Sequence, residues 1–212
     1  KKKKSIWEAK AYTPQGIVEG NQTKELLLKD DYVETIPYQW NGLNNKLGGI
    51  RQGELTLLCA GSGTGKSQVC RELAYHLISQ KIKVGYIALE ENVKRSIRGI
   101  VGLGLNKLIH KPDIRKQIPE EELIKEWNNV KDYICFYDSF GVSDTDDLMN
   151  RIRYMVVALD CRVIFLDHIS IVVSSVSDGD ERRNIDLLMT NLRKLVEEIK
   201  CSMFVVSHLK RP

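Results

Sequence analysis

The stretch Leu55–Ser67 reads LTLLCAGSGTGKS and joins an apolar run to a glycine-rich loop that ends in Gly-Lys-Ser. Glycines let such a loop curl so that its backbone N–H groups converge on phosphates. The lysine then reaches the β- and γ-phosphates, and the serine hydroxyl ligates Mg²⁺. The usual pattern begins with glycine, but this chain has alanine there. The predicted phosphate-binding residues are Ala60, Gly61, Ser62, Gly63, Thr64, Gly65, Lys66 and Ser67.

The segment after this loop supports the same interpretation. Residues 68–79 carry apolar side chains at spacings of three and four, which predicts a helix with one apolar face. A chance glycine loop between a strand and a helix is the alternative, and the intact Gly-Lys-Ser end disfavours it. The sequence therefore predicts a nucleoside-triphosphate site. The apolar residues of the predicted helix are Val69, Leu73, Leu77 and Ile78.

Length and composition indicate a globular protein with one main core. The chain has 212 residues, of which 42% are hydrophobic and 28% charged. No apolar run approaches the roughly 20 residues that a membrane-spanning helix needs. The basic N-terminus is not followed by the apolar stretch of a secretory signal. A net charge of +4 does not by itself indicate nucleic-acid binding, so any such binding depends on local patches.

The five cysteines are scattered, without the close pairs of metal-binding or redox motifs. An odd number at dispersed positions is typical of a reducing compartment. Cys59, Cys135 and Cys201 lie in or beside apolar runs, where we expect them to behave as small apolar residues.

Two regions are expected along the chain. Residues 1–34 read as a linker with a short helix of one or two turns at Lys24–Leu28, and residues 35–212 as the catalytic core. The run Lys1–Lys4 favours a solvated linker over a phosphate-binding arm. The chain starts without Met and ends directly after an apolar run. We therefore expect a piece of a longer polypeptide whose core is truncated at its C-terminal end.

Apolar runs alternate with helical patterns throughout the core region. Each run is short and continuous, which is typical of parallel strands buried on both faces. The order strand, helix, strand predicts an α/β fold whose ligands bind at the carboxyl ends of the strands. The predicted strands are Leu55–Cys59, Val84–Leu89, Ile134–Tyr137, Val163–Leu166 and Met203–Val206.

Polar residues follow three of these strands. Asp167 follows the fourth strand, where a carboxylate can hold the Mg²⁺ shell through water; a turn cap is the alternative. Glu90 follows the second strand and is the predicted carboxylate that polarises the attacking water, with a solvated helix-start glutamate as the alternative. The neighbouring Glu91 fits that structural role better. His208 ends the fifth strand and can donate a hydrogen bond to the γ-phosphate, unless it is a plain surface histidine.

These motifs resemble those of the ring-forming replicative DNA helicases of the RecA-like class, particularly phage primase–helicases and the mitochondrial helicase Twinkle. The resemblance covers about residues 35–212. Its segments are Leu47–Leu55 and the loop after it, Ala88–Glu91, Phe136–Phe140, Leu166–Ser174, Asp180–Arg183 and His208–Lys210.

The resemblance implies a RecA-like P-loop NTPase core with a mainly parallel sheet flanked by helices. It implies an NTP-driven replicative helicase that translocates on single-stranded DNA as a homo-hexamer or heptamer, with no membrane partner. The cofactors would be Mg²⁺ and a nucleoside triphosphate, ATP or dTTP. The location would be the cytoplasm of a host cell or the mitochondrial matrix, and a primase domain would belong to the complete polypeptide. The implied catalytic residues are Lys66, Glu90 and His208, and the implied metal ligands are Ser67 and Asp167.

Two loops of that family face DNA in the ring channel. Here they correspond to Ser174–Arg183 and to a loop that begins at Lys210. The first loop is rich in acidic residues, which disfavours contact with phosphates, so Lys210 is the predicted DNA-binding residue. The family's arginine finger has no counterpart that can be matched in this sequence.

Two other functions remain open on the sequence alone. A RecA-type recombinase or related ATPase would share the phosphate loop, Glu90 and Asp167, but usually carries glutamine where His208 stands. A non-catalytic nucleotide-binding oligomerisation module needs no water-activating carboxylate, so Glu90 disfavours it.

Overall fold

The chain falls into two units, residues 1–33 and 34–212. The structure is a computed structural model. In the first unit, a 3₁₀ turn spans Gly20–Gln22 and helix α1 spans Lys24–Leu28, with its leucine side chains exposed. Among the described residues, no helix combines the length and apolarity that crossing a bilayer would require. The structure describes residues 18–29, 34–138, 145–169, 172 and 181–208.

The second unit is built on a five-stranded parallel sheet, as the sequence predicts. Its strands are β3 (Leu55–Ala60), β4 (Val84–Ala88), β5 (Ile134–Tyr137), β6 (Val163–Asp167) and β7 (Ser202–His208). Their order in the sheet is β3-β7-β6-β4-β5, and every neighbouring pair is parallel. The observed strands differ from the predicted bounds by at most two residues.

Helices connect these strands and cover both faces of the sheet. A small antiparallel pair, formed by β1 at Thr35–Ile36 and β2 at Ile50–Arg51, precedes the main sheet. The remaining elements are β1 (Thr35–Ile36), α2 (Asn41–Leu47), β2 (Ile50–Arg51), α3 (Lys66–Ser79), α4 (Val93–Gly104), α5 (Pro112–Lys116), α6 (Glu120–Val130), a 3₁₀ turn (Lys131–Tyr133), α7 (Thr145–Val157) and α8 (Glu181–Ile199).

Two apolar clusters sandwich the sheet. On one face, Leu73 and Leu77 of α3 and Ile100 of α4 pack with sheet residues. On the other face, side chains of α7 and α8, such as Ile152 and Leu192, form the second cluster. Residues at helical spacing in the sequence therefore face the core, since helices and parallel strands bury their apolar surfaces against each other.

Two expectations about burial are wrong. Leu57 has 47% of its surface exposed and Cys59 is also exposed, although both lie in a strand expected to be buried. In the part of the chain that the structure describes, β3 is a terminal strand that pairs on one side only, with β7. On α3, Val69 is exposed, because the core-facing row runs through Cys70, one residue later.

The aromatic rings at the sheet centre provide a test of the core. Phe165 of β6 is fully buried and stacks on Phe204 of β7, with centroids 5.3 Å apart. Phe165→Ala should lower the free energy of unfolding by about 3–5 kcal/mol, because it removes buried surface and leaves a cavity. Denaturant unfolding measures the change. Val157→Ala, at an exposed position on α7, is the control and should stay within about 0.5 kcal/mol. Equal effects of the two variants would contradict this packing.

Candidate nucleotide-binding site

A cleft of about 370 Å³ lies at the carboxyl edge of the sheet. Parallel pairing creates it, because Ala60 lies opposite His208 and Ala88 lies opposite Asp167 in the strand register. The ends of four strands or their following residues thus meet at one place. The cleft is lined by Ser62, Gly63, Gly65, Lys66, Ser67, Gln68, Arg71, Ala88, Glu90, Glu91, Arg95, Asp167 and His208.

The glycine-rich loop has the backbone that its sequence requires. Gly63 and Gly65 have φ angles of 76° and 93°, values that favour glycine, and the space where a Cβ would lie is open at both. The loop runs directly into α3, so the positive end of that helix dipole lies at the cleft. Ala60, the departure from the usual pattern, is the last residue of β3, where an extended backbone accepts a side chain.

Lys66 is buried at the start of α3 and its ammonium group is held by the protein. Nζ donates to the carbonyl oxygens of Ala60 and Gly61 at 2.9 and 2.6 Å, and lies 3.1 Å from Nδ1 of His208. An ammonium group has three donors and no acceptor. Lys66 is therefore pointed along the inside of the loop, where phosphate oxygens would compete with these carbonyls for it.

His208 faces Lys66 as a neutral ring. Burial lowers the pKa of His208, and the neighbouring His168 and Lys66 lower it further. Nδ1 must then accept the hydrogen bond from Lys66, so the proton lies on Nε2. A neutral Nε2–H ring can donate a hydrogen bond to an anion.

Ser67 and Asp167 offer oxygen atoms to a cation. Burial raises the pKa of the Asp167 carboxyl. The hydroxyl of Ser67 donates a hydrogen bond to this carboxyl, which opposes part of that rise. Mg²⁺ prefers oxygen ligands and usually retains several of its waters. A buried carboxylate whose neighbour is a hydroxyl therefore fits Mg²⁺ bound together with phosphates.

The two adjacent glutamates have different environments. Glu91 is tied into the protein: its side chain is 12% exposed, it accepts from Arg71 Nη2 at 2.5 Å and it accepts from the Ser96 hydroxyl at 2.7 Å. Glu90 is 55% exposed in the cleft, and its Oε1 lies 2.5 Å from Nε2 of His168. The exposed Glu90 and the paired Glu91 thus differ as the sequence predicts. The catalytic role of Glu90 and the structural role of Glu91 stay predictions.

His168 and Arg71 both lie at the site, although the sequence alone predicted a role for neither residue. His168 is buried, and its ring meets that of His208 edge to face, with centroids 4.2 Å apart. Arg71 lines the cleft from α3. The available signal for His168 was its position directly after Asp167. Nothing in the sequence alone indicated that its ring turns toward Glu90.

The predicted DNA-binding residue, Lys210, lies outside the described residues, as does most of the Ser174–Arg183 segment. Where that segment is described, the expectation of a loop is wrong. Arg182 and Arg183 belong to the first turn of α8, which begins at Glu181. The Lys1–Lys4 run also lies outside the described residues.

Comparison with known proteins agrees with the class that this site defines, a P-loop nucleotide-binding protein of RecA-like fold. Residues 35–212 match the family described as the DnaB-like helicase C-terminal domain. The chain belongs to that family.

Two curated relatives that resemble the chain are named as a phage helicase and a probable plasmid helicase. The chain is 35% identical over 216 residues to the DNA helicase/primase of Enterobacteria phage T3. This alignment covers 98% of this chain and 38% of that protein. It is 25% identical to a probable plasmid replicative DNA helicase of Chlamydia muridarum, over 86% of this chain and 41% of that protein. The chain spans about two fifths of the length of these relatives.

Solved structures share the fold at low identity. One solved ATPase domain superposes with a TM-score of 0.73 at 16% identity, over 88% of this chain and 68% of that chain. A DnaB-like replicative helicase, whose structure was described with its primase interactions, superposes with a TM-score of 0.72 at 18% identity. The superposition covers 88% of this chain and 47% of that chain. A KaiC-like protein of Pyrococcus horikoshii superposes with a TM-score of 0.62 at 17% identity, over 84% of this chain and 72% of that chain. These likenesses confirm the RecA-like architecture.

The loop geometry predicts the effect of removing its charge. Lys66→Ala should abolish binding of a nucleoside triphosphate and leave the fold intact, because no other side chain of the loop carries a positive charge to the phosphates. Calorimetric titration with Mg²⁺ and nucleotide measures the affinity, and Lys46→Ala on the exposed side of α2 is the matched control. Unchanged affinity in Lys66→Ala would remove the phosphate-loop assignment.

Proposed function

We propose that this chain is the nucleoside-triphosphatase motor of a replicative DNA helicase. The observation that carries the proposal is the meeting of Lys66, Asp167, Glu90 and His208 around one cleft, in a member of the DnaB-like helicase family. These side chains lie at or just after the carboxyl ends of parallel strands, so the order and register of the strands determine their arrangement.

In the proposed reaction, Lys66 and the loop amides hold the β- and γ-phosphates. Glu90 accepts a proton from the attacking water, whose oxygen bonds to the γ-phosphorus. The bond between the γ-phosphorus and the β–γ bridging oxygen breaks, and a nucleoside diphosphate and phosphate leave. The neutral Nε2–H of His208 donates a hydrogen bond to the γ-phosphate. Loss of the γ-phosphate then removes this hydrogen bond and changes the contacts at the end of β7.

Ser67 and Asp167 are the residues that we assign to Mg²⁺. Bound together with the nucleotide, Mg²⁺ would neutralise charge on the phosphate oxygens. Burial of Asp167 keeps its carboxylate away from bulk water, and the hydroxyl of Ser67 orients it.

Assembly and partners follow from the family. Replicative helicases of this type act as rings, so we propose a homo-hexamer or heptamer that encloses single-stranded DNA, uses ATP or dTTP and works with a primase. The phage T3 relative is named a helicase/primase, and one structural neighbour was described with its primase interactions. The relation to a phage protein and the free cysteines of the described residues support the cytoplasm of a host cell. The relatives named here give no support for a mitochondrial location.

The other two functions have less support. Family membership favours the helicase over a RecA-type recombinase. A binding-only oligomerisation module would not require a carboxylate such as Glu90, which is exposed to the cleft and contacts a buried histidine.

The two glutamates separate binding from chemistry. Glu90→Gln should bind Mg²⁺-nucleotide normally and lower kcat for hydrolysis by about 10²- to 10⁴-fold, because the amide cannot accept the proton of the water. Glu91→Gln is the matched control: it weakens the pair with Arg71, so it should lower the melting temperature and leave kcat within a few-fold. Phosphate release and thermal melting measure both. If Glu91→Gln is the variant that loses turnover, the catalytic carboxylate has been assigned wrongly.

The resemblance also predicts coupling between nucleotide and DNA. Lys210→Ala in the complete protein should weaken single-strand binding about equally for all sequences and reduce the salt slope by roughly 0.7, the value of one phosphate contact. His208→Ala should keep DNA affinity but remove its dependence on nucleotide state. Fluorescence anisotropy at several salt concentrations measures both. If Lys210→Ala retains the parent's affinity and slope, the channel-loop assignment is wrong.

A further inference from the structure

The contact between His168 and Glu90 is unusual because its two partners differ so strongly in burial. The His168 side chain is 6% exposed, whereas Glu90 is 55% exposed. Their hydrogen-bonding atoms, Nε2 and Oε1, lie 2.5 Å apart. A buried ring, fixed by packing, thus holds a side chain that would otherwise rotate freely in the cleft.

Neighbouring groups fix the ring itself. His168 directly follows β6, and its ring meets the ring of His208 edge to face at 4.2 Å. His208 in turn is 3.1 Å from Nζ of Lys66. A continuous row, Glu90–His168–His208–Lys66, therefore joins the water-activating side of the cleft to its phosphate-binding side.

Hydrogen-bond roles follow from the two ring nitrogens of His168. Because a carboxylate accepts only, Nε2 must carry the proton that it donates to Glu90. Nδ1 is buried, and none of the described residues supplies a hydrogen-bond partner for it. The only protein contact that orients the polar atoms of this ring, within the described part of the chain, is thus the one to Glu90.

We propose that His168 is a positioning residue that holds Glu90 in the orientation required for hydrolysis. This inference rests on the proposed function. Nε2–H donates to Oε1 and fixes the carboxylate plane, which leaves Oε2 to accept the proton of the attacking water. A carboxylate that rotated freely would spend most of its time directed elsewhere, and small errors in position are costly in a proton-transfer step.

A metal site is the competing explanation for this cluster. Glu90, His168 and His208 present ligand atoms that all lie within 4.8 Å of one another. Adjacent ligands of tetrahedral zinc are separated by about 3.3 Å, which follows from zinc–ligand distances of about 2.0 Å. The 2.5 Å between Nε2 and Oε1 is too short for two such ligands. A short contact between a ring N–H and a carboxylate is instead a hydrogen bond to a charged acceptor, a class of bond that is shorter than its neutral counterpart.

Three substitutions of His168 test the proposal in the complete protein. Gln can place an amide N–H near the position of Nε2, whereas Asn is one bond shorter and cannot. His168→Asn and His168→Ala should lower kcat about 10- to 100-fold with KM and nucleotide affinity unchanged, because a misplacement of about 1 Å at a reacting group can cost roughly 10²-fold. His168→Gln should restore kcat to within about five-fold of the parent. His76→Gln on α3, whose ring contacts the Pro37 carbonyl, is the control and should have no effect on kcat.

A purely structural His168 would give a different result. The Gln and Asn variants would then lose activity together and in proportion to their loss of melting temperature, and that outcome overturns the proposal. Equal kcat in the parent, Gln and Asn variants overturns it as well. In a Glu90→Gln background, His168→Asn should cause little further loss, because the group that it orients is already inactive.

A second measurement leaves His168 in place. Proton NMR of the complete protein should show a downfield Nε2–H resonance of His168 that moves upfield in Glu90→Gln, where a charged acceptor is replaced by a neutral one. An unchanged resonance contradicts the hydrogen bond. Failure of the proposed function is distinguishable, because Glu90→Gln itself would then hydrolyse nucleotide at the parent's rate.

Discussion

The parallel pairing of the central strands is the constraint on which the rest of this structure depends. Register places Ala60 beside His208 and Ala88 beside Asp167, so that residues far apart in the chain share one edge of the sheet. Hydrogen bonds between neighbouring strands fix this register. The backbone of the sheet therefore determines where the cleft lies, and the apolar clusters on both faces hold that backbone in place.

The charged side chains at that edge of the sheet differ in how deeply they are buried. Lys66 and Asp167 are buried and surrounded by partners, Glu91 is paired with Arg71, and Glu90 alone among these four side chains is largely exposed to the cleft. A carboxylate that accepts a proton during a reaction must be accessible to water, whereas one that supports a helix start benefits from a fixed partner. The two neighbouring glutamates thus have the same chemistry but different environments, as the proposed division of their roles requires.

Much of this arrangement could be predicted from the sequence because its signals are local. The Gly-Lys-Ser loop, the apolar runs and the polar residues after them are all contiguous, and they led to the correct fold class and to residues that meet in one cleft. The exposure of Leu57 and Cys59 could not be predicted, since it depends on the position of β3 in the sheet order. The start of α8 was not predicted either. Nor was the contact of His168 with Glu90, because it joins residues that are 78 positions apart in the chain.

Strand displacement tests the central claim most directly. The complete protein, with Mg²⁺ and ATP or dTTP, should release a labelled strand from a forked DNA duplex, and Lys66→Ala should release none. A non-hydrolysable nucleotide should give assembly on DNA without release, since movement requires loss of the γ-phosphate. Hydrolysis without displacement would instead favour a recombinase or related ATPase. Nucleotide binding with neither activity would contradict the account of this chain as a helicase motor.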